Sequence, residues 1–228
     1  MQRNTLFKYN PNQISLPNNR VKGLFVIAKK LPLLESKRVK KRIAILASGA
    51  GSNAQRIIEY FKENGRADVV VVGCNNPDAL VLKKVAHLGV CFFVFNKGAL
   101  TSLSVVLDKL LAKKVDLIVL AGFLLKVPES LVRAFPNRIV NVHPALLPKF
   151  GGKGMYGKYV HQAVIEAQEK ESGITIHYVN EHYDEGAIIF QAKCGVSEND
   201  SAETLARKIH ALEHEYFAKT IDQIIQTL

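Results

Sequence analysis

The chain has 228 residues, 48% of them hydrophobic and 22% charged, with a formal net charge of +11. That is enough chain for one sizeable α/β domain, and the composition is that of a globular protein. No apolar run approaches the roughly 20 residues that span a bilayer, so a membrane partner is not expected. Cys74, Cys91 and Cys194 are widely spaced with no CxxC pair, which suggests neither a disulfide framework nor a thiolate zinc site and fits a reducing, cytoplasmic setting.

The positive charge is not spread evenly. Residues 1–42 hold eleven Lys or Arg and a single acid, Glu35, so the remainder is close to neutral. The body of the protein therefore need not bind a polyanion, and nucleic acid is not an expected partner. Residues 1–40 carry scattered prolines (Pro11, Pro17, Pro32) and no sustained helical or strand period. They read as a basic, poorly ordered N-terminal extension, because such composition cannot bury enough surface to offset its ordering entropy. A targeting sequence and an upstream start site are the alternatives. The basic cluster Lys37–Arg42 reads as a solvated lead-in to the domain over 41–228.

From Arg42 onward the pattern is regular. Ile43–Ala47 is a short apolar run ending in a Gly/Ser loop, and Asn53–Glu63 has helical spacing of Ile57, Ile58 and Phe61. Strands are predicted at Val69–Gly73, Cys91–Phe95 and Asp116–Ala121, and helices at Ala79–Leu88 and Ser102–Lys113. Strands that are apolar on both faces and alternate with helices imply a parallel sheet covered on both sides. Arg138–Val142 is a further strand, leading into His143–Gly157 with its four glycines and two prolines. A helix at Lys158–Lys170 follows, then two strands, Gly173–Val179 and Ala187–Lys193, with no helix between them. The last helix, Ser201–Thr227, opens on an Asn-Asp-Ser cap signal. The expected fold is a single Rossmann-like three-layer α/β domain, mostly parallel, with antiparallel strands at the C-terminal edge.

Two segments carry chemistry. Ser48-Gly49-Ala50-Gly51-Ser52-Asn53 joins a predicted strand to a predicted helix. Free N–H groups at a helix start suit an anion, and glycine lets a phosphate approach the backbone closely. Gly49-x-Gly51-x-x-Ala54 also matches a dinucleotide fingerprint, but the second strand ends Gly73-Cys74-Asn75-Asn76, with no acid for a ribose hydroxyl. A phosphate monoester is the better reading; a dinucleotide and a structural turn stay open.

The second segment is Asn141-Val142-His143-Pro144-Ala145-Leu146-Leu147-Pro148. Alternate strand residues face one side, so Asn141 and His143 point together, and Pro144 ends the strand just beyond them. In open α/β sheets ligands bind at that carboxyl end. An amide and an imidazole side by side suit acyl transfer to an amine: the amide can hold an oxyanion and the imidazole can move protons. A nearby carboxylate would orient the imidazole and favour its charged form.

Together with Ala121-Gly122-Phe123 and Asp184-x-Gly186, these strings closely resemble the glycinamide ribonucleotide formyltransferases over about residues 41–228. The resemblance implies transfer of a formyl group from 10-formyltetrahydrofolate, a cosubstrate, to glycinamide ribonucleotide in de novo purine synthesis, with no tightly bound cofactor and no metal. It makes Asn141 and His143 the catalytic pair and Asp184 their carboxylate partner. Gly51, Ser52, Asn53, His210 and Glu213 would hold the ribonucleotide. Leu124, Leu125, Lys126, Val127, Asn141, Asn180, Glu181, His182, Tyr183 and Asp184 would wall the folate pocket. The chain would work as a monomer or homodimer.

The sequence departs from the family at Leu125, where a basic residue is common and Lys126 comes one position later. The loop Phe150–Gly157 is longer and richer in glycine than in the best-known members, and reads equally as a mobile lid or a plain surface loop. Formyltetrahydrofolate hydrolases share much of this core but usually carry an N-terminal regulatory domain. Methionyl-tRNA formyltransferases need a C-terminal tRNA-binding domain. Neither addition is expected here.

Overall fold

The computed structural model describes residues 40–102 and 105–228; the extension expected over 1–40, save Lys40, lies outside them. Among the described residues seven strands make one sheet: β1 (Lys41–Ala47), β2 (Ala67–Cys74), β3 (Phe92–Val94), β4 (Leu117–Leu120), β5 (Ile139–His143), β6 (Glu171–Tyr178) and β7 (Ile188–Gly195). Their order is β3-β2-β1-β4-β5-β6-β7. Pairing is parallel from β3 to β5, and β5–β6 and β6–β7 are antiparallel. The predicted mostly parallel sheet with an antiparallel C-terminal edge is the observed one.

The helices among the described residues are α1 (Ser52–Asn64), α2 (Leu80–His87), α3 (Lys97–Thr101), α4 (Val105–Ala112), α5 (Glu129–Ala134), α6 (Lys158–Glu166) and α7 (Ala202–Thr227). The period of two along β1 divides its side chains between two cores. Ile43, Ile45 and Ala47 pack with Ile57, Ile58 and Phe61 of α1 and Phe217 and Ile221 of α7. Ala44 and Leu46 pack with Leu110 of α4 and with Leu131 and Phe135 in and just after α5. Each fully buried Ile, Leu or Phe contributes about 1.5–3 kcal/mol over an exposed one. None of the helices of the described residues is long and apolar enough to cross a membrane.

Several boundaries differ from expectation. The short helices α3 and α5 span 5 and 6 residues, too few to display a helical period, and the sequence does not announce them. The helix expected to reach Lys170 ends at Glu166, because Gln168 adopts a left-handed conformation (φ 53°) and Glu171 already pairs with Gly195.

The chain reverses its winding between β1 and β4, which opens a crevice at their carboxyl ends. Ser48 laces this crevice together. Its backbone N–H donates to the Gly122 carbonyl at 3.0 Å, and its hydroxyl accepts from Leu124 N at 2.9 Å and donates to Asn75 Oδ1 at 2.6 Å. Ser201 starts α7 with a capping box, its hydroxyl accepting from Thr204 N at 3.2 Å. Replacing Ser201 with Ala should cost about 1 kcal/mol, and thermal unfolding should show it as a fall in Tm of roughly 2–4 °C. An unchanged Tm would mean the cap does not limit stability.

Candidate active site

The carboxyl ends of β1, β4 and β5 surround a cavity that takes in both segments singled out from the sequence. Gly51, Ser52 and Asn53 lie at the start of α1, where N–H groups have no partner within the helix. Gly51 has φ 72°, and a Cβ there would stand 2.4 Å from Val81 Cγ2. Both the left-handed backbone and the close approach of α2 thus require glycine.

Asn53 does less at the helix start than the sequence suggests. Its side-chain amide donates to Glu213 Oε2 at 2.8 Å, and the same oxygen lies 3.0 Å from His210 Nδ1. Glu213 is buried and His210 exposed. The hydrogen bond to Glu213 raises the His210 pKa, against the effect of burial. The structure therefore brings together, on one wall, the five residues assigned to the ribonucleotide, with an exposed imidazole whose protonated form Glu213 favours.

Asn141, His143 and Asp184 also converge. His143 is 3% exposed, with Nδ1 3.5 Å from Asp184 Oδ2 and Nε2 2.7 Å from the Phe150 carbonyl. A carbonyl can only accept, so Nε2 carries a proton, and an ionised Asp184 faces Nδ1. Burial lowers the His143 pKa, while Asp184 and the Phe150 carbonyl pull it upward. Burial pushes Asp184 up, but its imidazole neighbours and the Gly152 N–H outweigh that and leave its pKa lowered. Asp184 is thus a carboxylate at neutral pH, and His143 can gain or lose one proton beside it. Asp184 itself sits at φ 56°, and Gly186 two residues on lies so close to β6 that a Cβ would be 1.7 Å from the Tyr178 carbonyl oxygen.

Sequence reasoning missed His177. It lies opposite Asn141 in the antiparallel β5–β6 pair, is 2% exposed, and is 3.1 Å from Asn141 Nδ2 through Nε2. Its Nδ1 is 2.9 Å from the Tyr178 carbonyl. Nδ1 must therefore be the donor, Nε2 the acceptor, and the Asn141 amide is held with its NH₂ toward the ring. The 3.6 Å approach of Nε2 to Asp184 Oδ1 becomes an ion pair only if the ring gains a second proton. Within the sequence His177 is one polar residue on a strand; only strand register puts it beside Asn141. Thr175 is likewise hidden: its buried hydroxyl donates to the Ala145 carbonyl at 2.7 Å and accepts from Leu147 N at 3.0 Å, which fixes the turn after His143.

Of the residues assigned to a folate wall, Leu124, Leu125, Lys126, Val127, Asn141, Asn180, His182, Tyr183 and Asp184 line the cavity. Glu181 does not. It lines a neighbouring cavity that shares Leu124–Val127 and Tyr183. Lys126 lies 5.5 Å above the Tyr183 ring. Among the described residues, no group of three or more His, Cys, Asp or Glu is arranged to hold a metal ion.

A half-buried, hydrogen-bonded amide, an imidazole paired with a carboxylate, and a helix start in one α/β crevice are the parts of an acyl-transfer site. The formyl transferase family model matches residues 41–221, and the chain belongs to that family. It is 40% identical over 193 residues to a chloroplastic phosphoribosylglycinamide formyltransferase of Arabidopsis thaliana, covering 82% of this chain and 66% of that protein. The corresponding protein of Bacillus subtilis is 34% identical over 192 residues, with 81% of this chain and 95% of that protein covered. Among solved structures, the phosphoribosylglycinamide formyltransferase of Anaplasma phagocytophilum superposes with a TM-score of 0.76 at 34% identity, over 82% of this chain and 88% of the other. The chain thus spans just under two thirds of the plant protein and almost all of the bacterial one.

The Glu213–His210 pair is open to a direct check. In Glu213→Gln the carboxylate that raises the His210 pKa is gone, so the ring should titrate at lower pH by NMR. Titration at an unchanged pH would show that the pair does not form in solution.

Proposed function

We propose that this chain transfers the formyl group of 10-formyltetrahydrofolate to the amine of glycinamide ribonucleotide, a step of de novo purine synthesis. The observation that carries this reading is the meeting of Asn141, His143 and Asp184 with the Gly51–Asn53 helix start on one cavity. An amine at His143 and a phosphate at the α1 N-terminus would occupy the two ends of one acceptor molecule. Dinucleotide binding is disfavoured at the end of β2, where Asn75 is taken up by Ser48 and no acid is present. Hydrolysis to formate needs no phosphate site, and the Gly51, Asn53, Glu213 and His210 cluster favours a phosphorylated acceptor over water.

In this reading the substrate amine attacks the formyl carbon and a C–N bond forms. The carbonyl oxygen becomes an oxyanion, held by the remaining N–H of the Asn141 amide, whose other N–H is fixed on His177. His143 acts in its Nδ1–H tautomer, with that hydrogen toward Asp184, so that Nε2 gives up its contact with the Phe150 carbonyl and takes the proton released by the attacking nitrogen. Asp184 stabilises the resulting imidazolium across the 3.5 Å gap to Nδ1. The same proton then passes to N10 of the folate as its bond to the formyl carbon breaks and the carbonyl re-forms. Leu124, Val127 and the 180–184 turn wall the folate, and Lys126 on Tyr183 supplies positive charge near its tail.

Formyl transfer should be followed as folate release, with the ribonucleotide and with water alone as acceptor. Release only with the ribonucleotide is the expected result; equal release without it would make the chain a hydrolase. His143→Ala should lower kcat by about 10²–10⁴-fold and Asn141→Ala by about 10²–10³-fold. The pH profile gives a separate test. Because burial depresses the His143 pKa, the rate should fall only as pH drops below the ordinary imidazole range. Asp184→Asn removes an upward pull on that ring, so the acid limb should move to lower pH while the rate drops at every pH. A limb that stays in place would separate Asp184 from the titrating group.

A further inference from the structure

One buried polar group in the cavity has no place in the chemistry above. His161, on α6, is 5% exposed and lines the same cavity as Gly51, His143 and Glu213. Its Nδ1 is buried without a hydrogen-bond partner. The adjacent Val160, and Val164 one turn later, are fully buried core residues, so His161 stands at the margin where α6 passes from core to cavity. Glu213, His210 and His143 all lie near enough to act on its charge, which sets it among the phosphate wall and the proton-handling imidazole.

A histidine that served only to pack would be a poor choice here. An unsatisfied buried ring nitrogen loses the hydrogen bonds that water gave it, whereas Phe or Leu would fill the space without that loss. The loss is recovered if a ligand supplies the missing partner. We infer that His161 is a further ribonucleotide-binding residue, its imidazole hydrogen-bonded to the ribose that joins the phosphate at Gly51–Asn53 to the amine at His143. The inference rests on the proposed acceptor. A hydroxyl, both donor and acceptor, suits a ring that burial holds toward its neutral form, whereas the anionic phosphate suits the neighbouring His210, whose pKa is raised.

The test compares wild type, His161→Phe and His161→Asn. Phenylalanine keeps the ring and removes both nitrogens; asparagine keeps a polar group close to the Nδ1 position. His161→Phe should raise the KM for glycinamide ribonucleotide roughly tenfold, the scale of one lost hydrogen bond in a buried site. The KM for 10-formyltetrahydrofolate should stay at its wild-type value, the Tm of the ligand-free enzyme should not fall, and His161→Asn should recover most of the lost affinity. With an acceptor lacking the ribose hydroxyls, wild type and His161→Phe should show the same KM. An unchanged ribonucleotide KM in His161→Phe, or an equal loss with the deoxygenated acceptor, overturns the inference. A wild-type enzyme that does not use the ribonucleotide at all overturns the parent reading, and this inference with it.

Discussion

The antiparallel pairing of β5 with β6 is the constraint on which the candidate site depends. It sets His177 across from Asn141 and Thr175 across from His143. His177 then orients the amide, and Thr175 ties down the turn in which the Asn-x-His-Pro string ends. Because side chains alternate along a strand, a slip of one residue would turn both partners away to the opposite face. The same strand leads into the 180–184 turn that returns Asp184 to His143. One ladder of backbone hydrogen bonds thus positions an amide, two imidazoles and a carboxylate that are far apart in the chain.

The site concentrates polar groups where solvation is poor, and its stability comes from pairing rather than from exposure. Asp184 stays ionised because two imidazoles and the Gly152 N–H compensate its burial. Glu213 is buried but receives Asn53 and His210. Leaving any of these groups unpaired would incur a penalty of about 1–3 kcal/mol or more, so each substitution in the cluster acts through its neighbours as well as directly. Such mutual dependence gives a preorganised site, in which dipoles are already aligned before charge develops on the substrate.

Much of the fold is legible in the sequence for simple reasons. The strands β1 and β4 and the second half of β2 are buried on both faces, so they appear as apolar runs; α1 is long enough to show a period, and α7 opens on a cap signal. What escapes is short or depends on contacts. The helices α3 and α5 bury Leu100 and Leu131 in the core, and α3 is also capped by Asn96, whose side chain accepts from Ala99 N. The end of α6 is set by the left-handed Gln168 and the register of β6, neither of which a helical pattern reveals.

For the site, the sequence by itself determined the two strings that bear chemistry and the placement of both at strand ends, since local geometry follows from local order. The tertiary structure alone decided which distant groups meet them. His177 and Thr175 became partners of β5 through register, Glu213 engaged Asn53 across 160 residues, and Glu181 came to line a neighbouring cavity. A hydrogen bond extends only about 3 Å, whereas a motif fixes only its own few residues. Every interaction that joins separate motifs had to wait for the chain to fold.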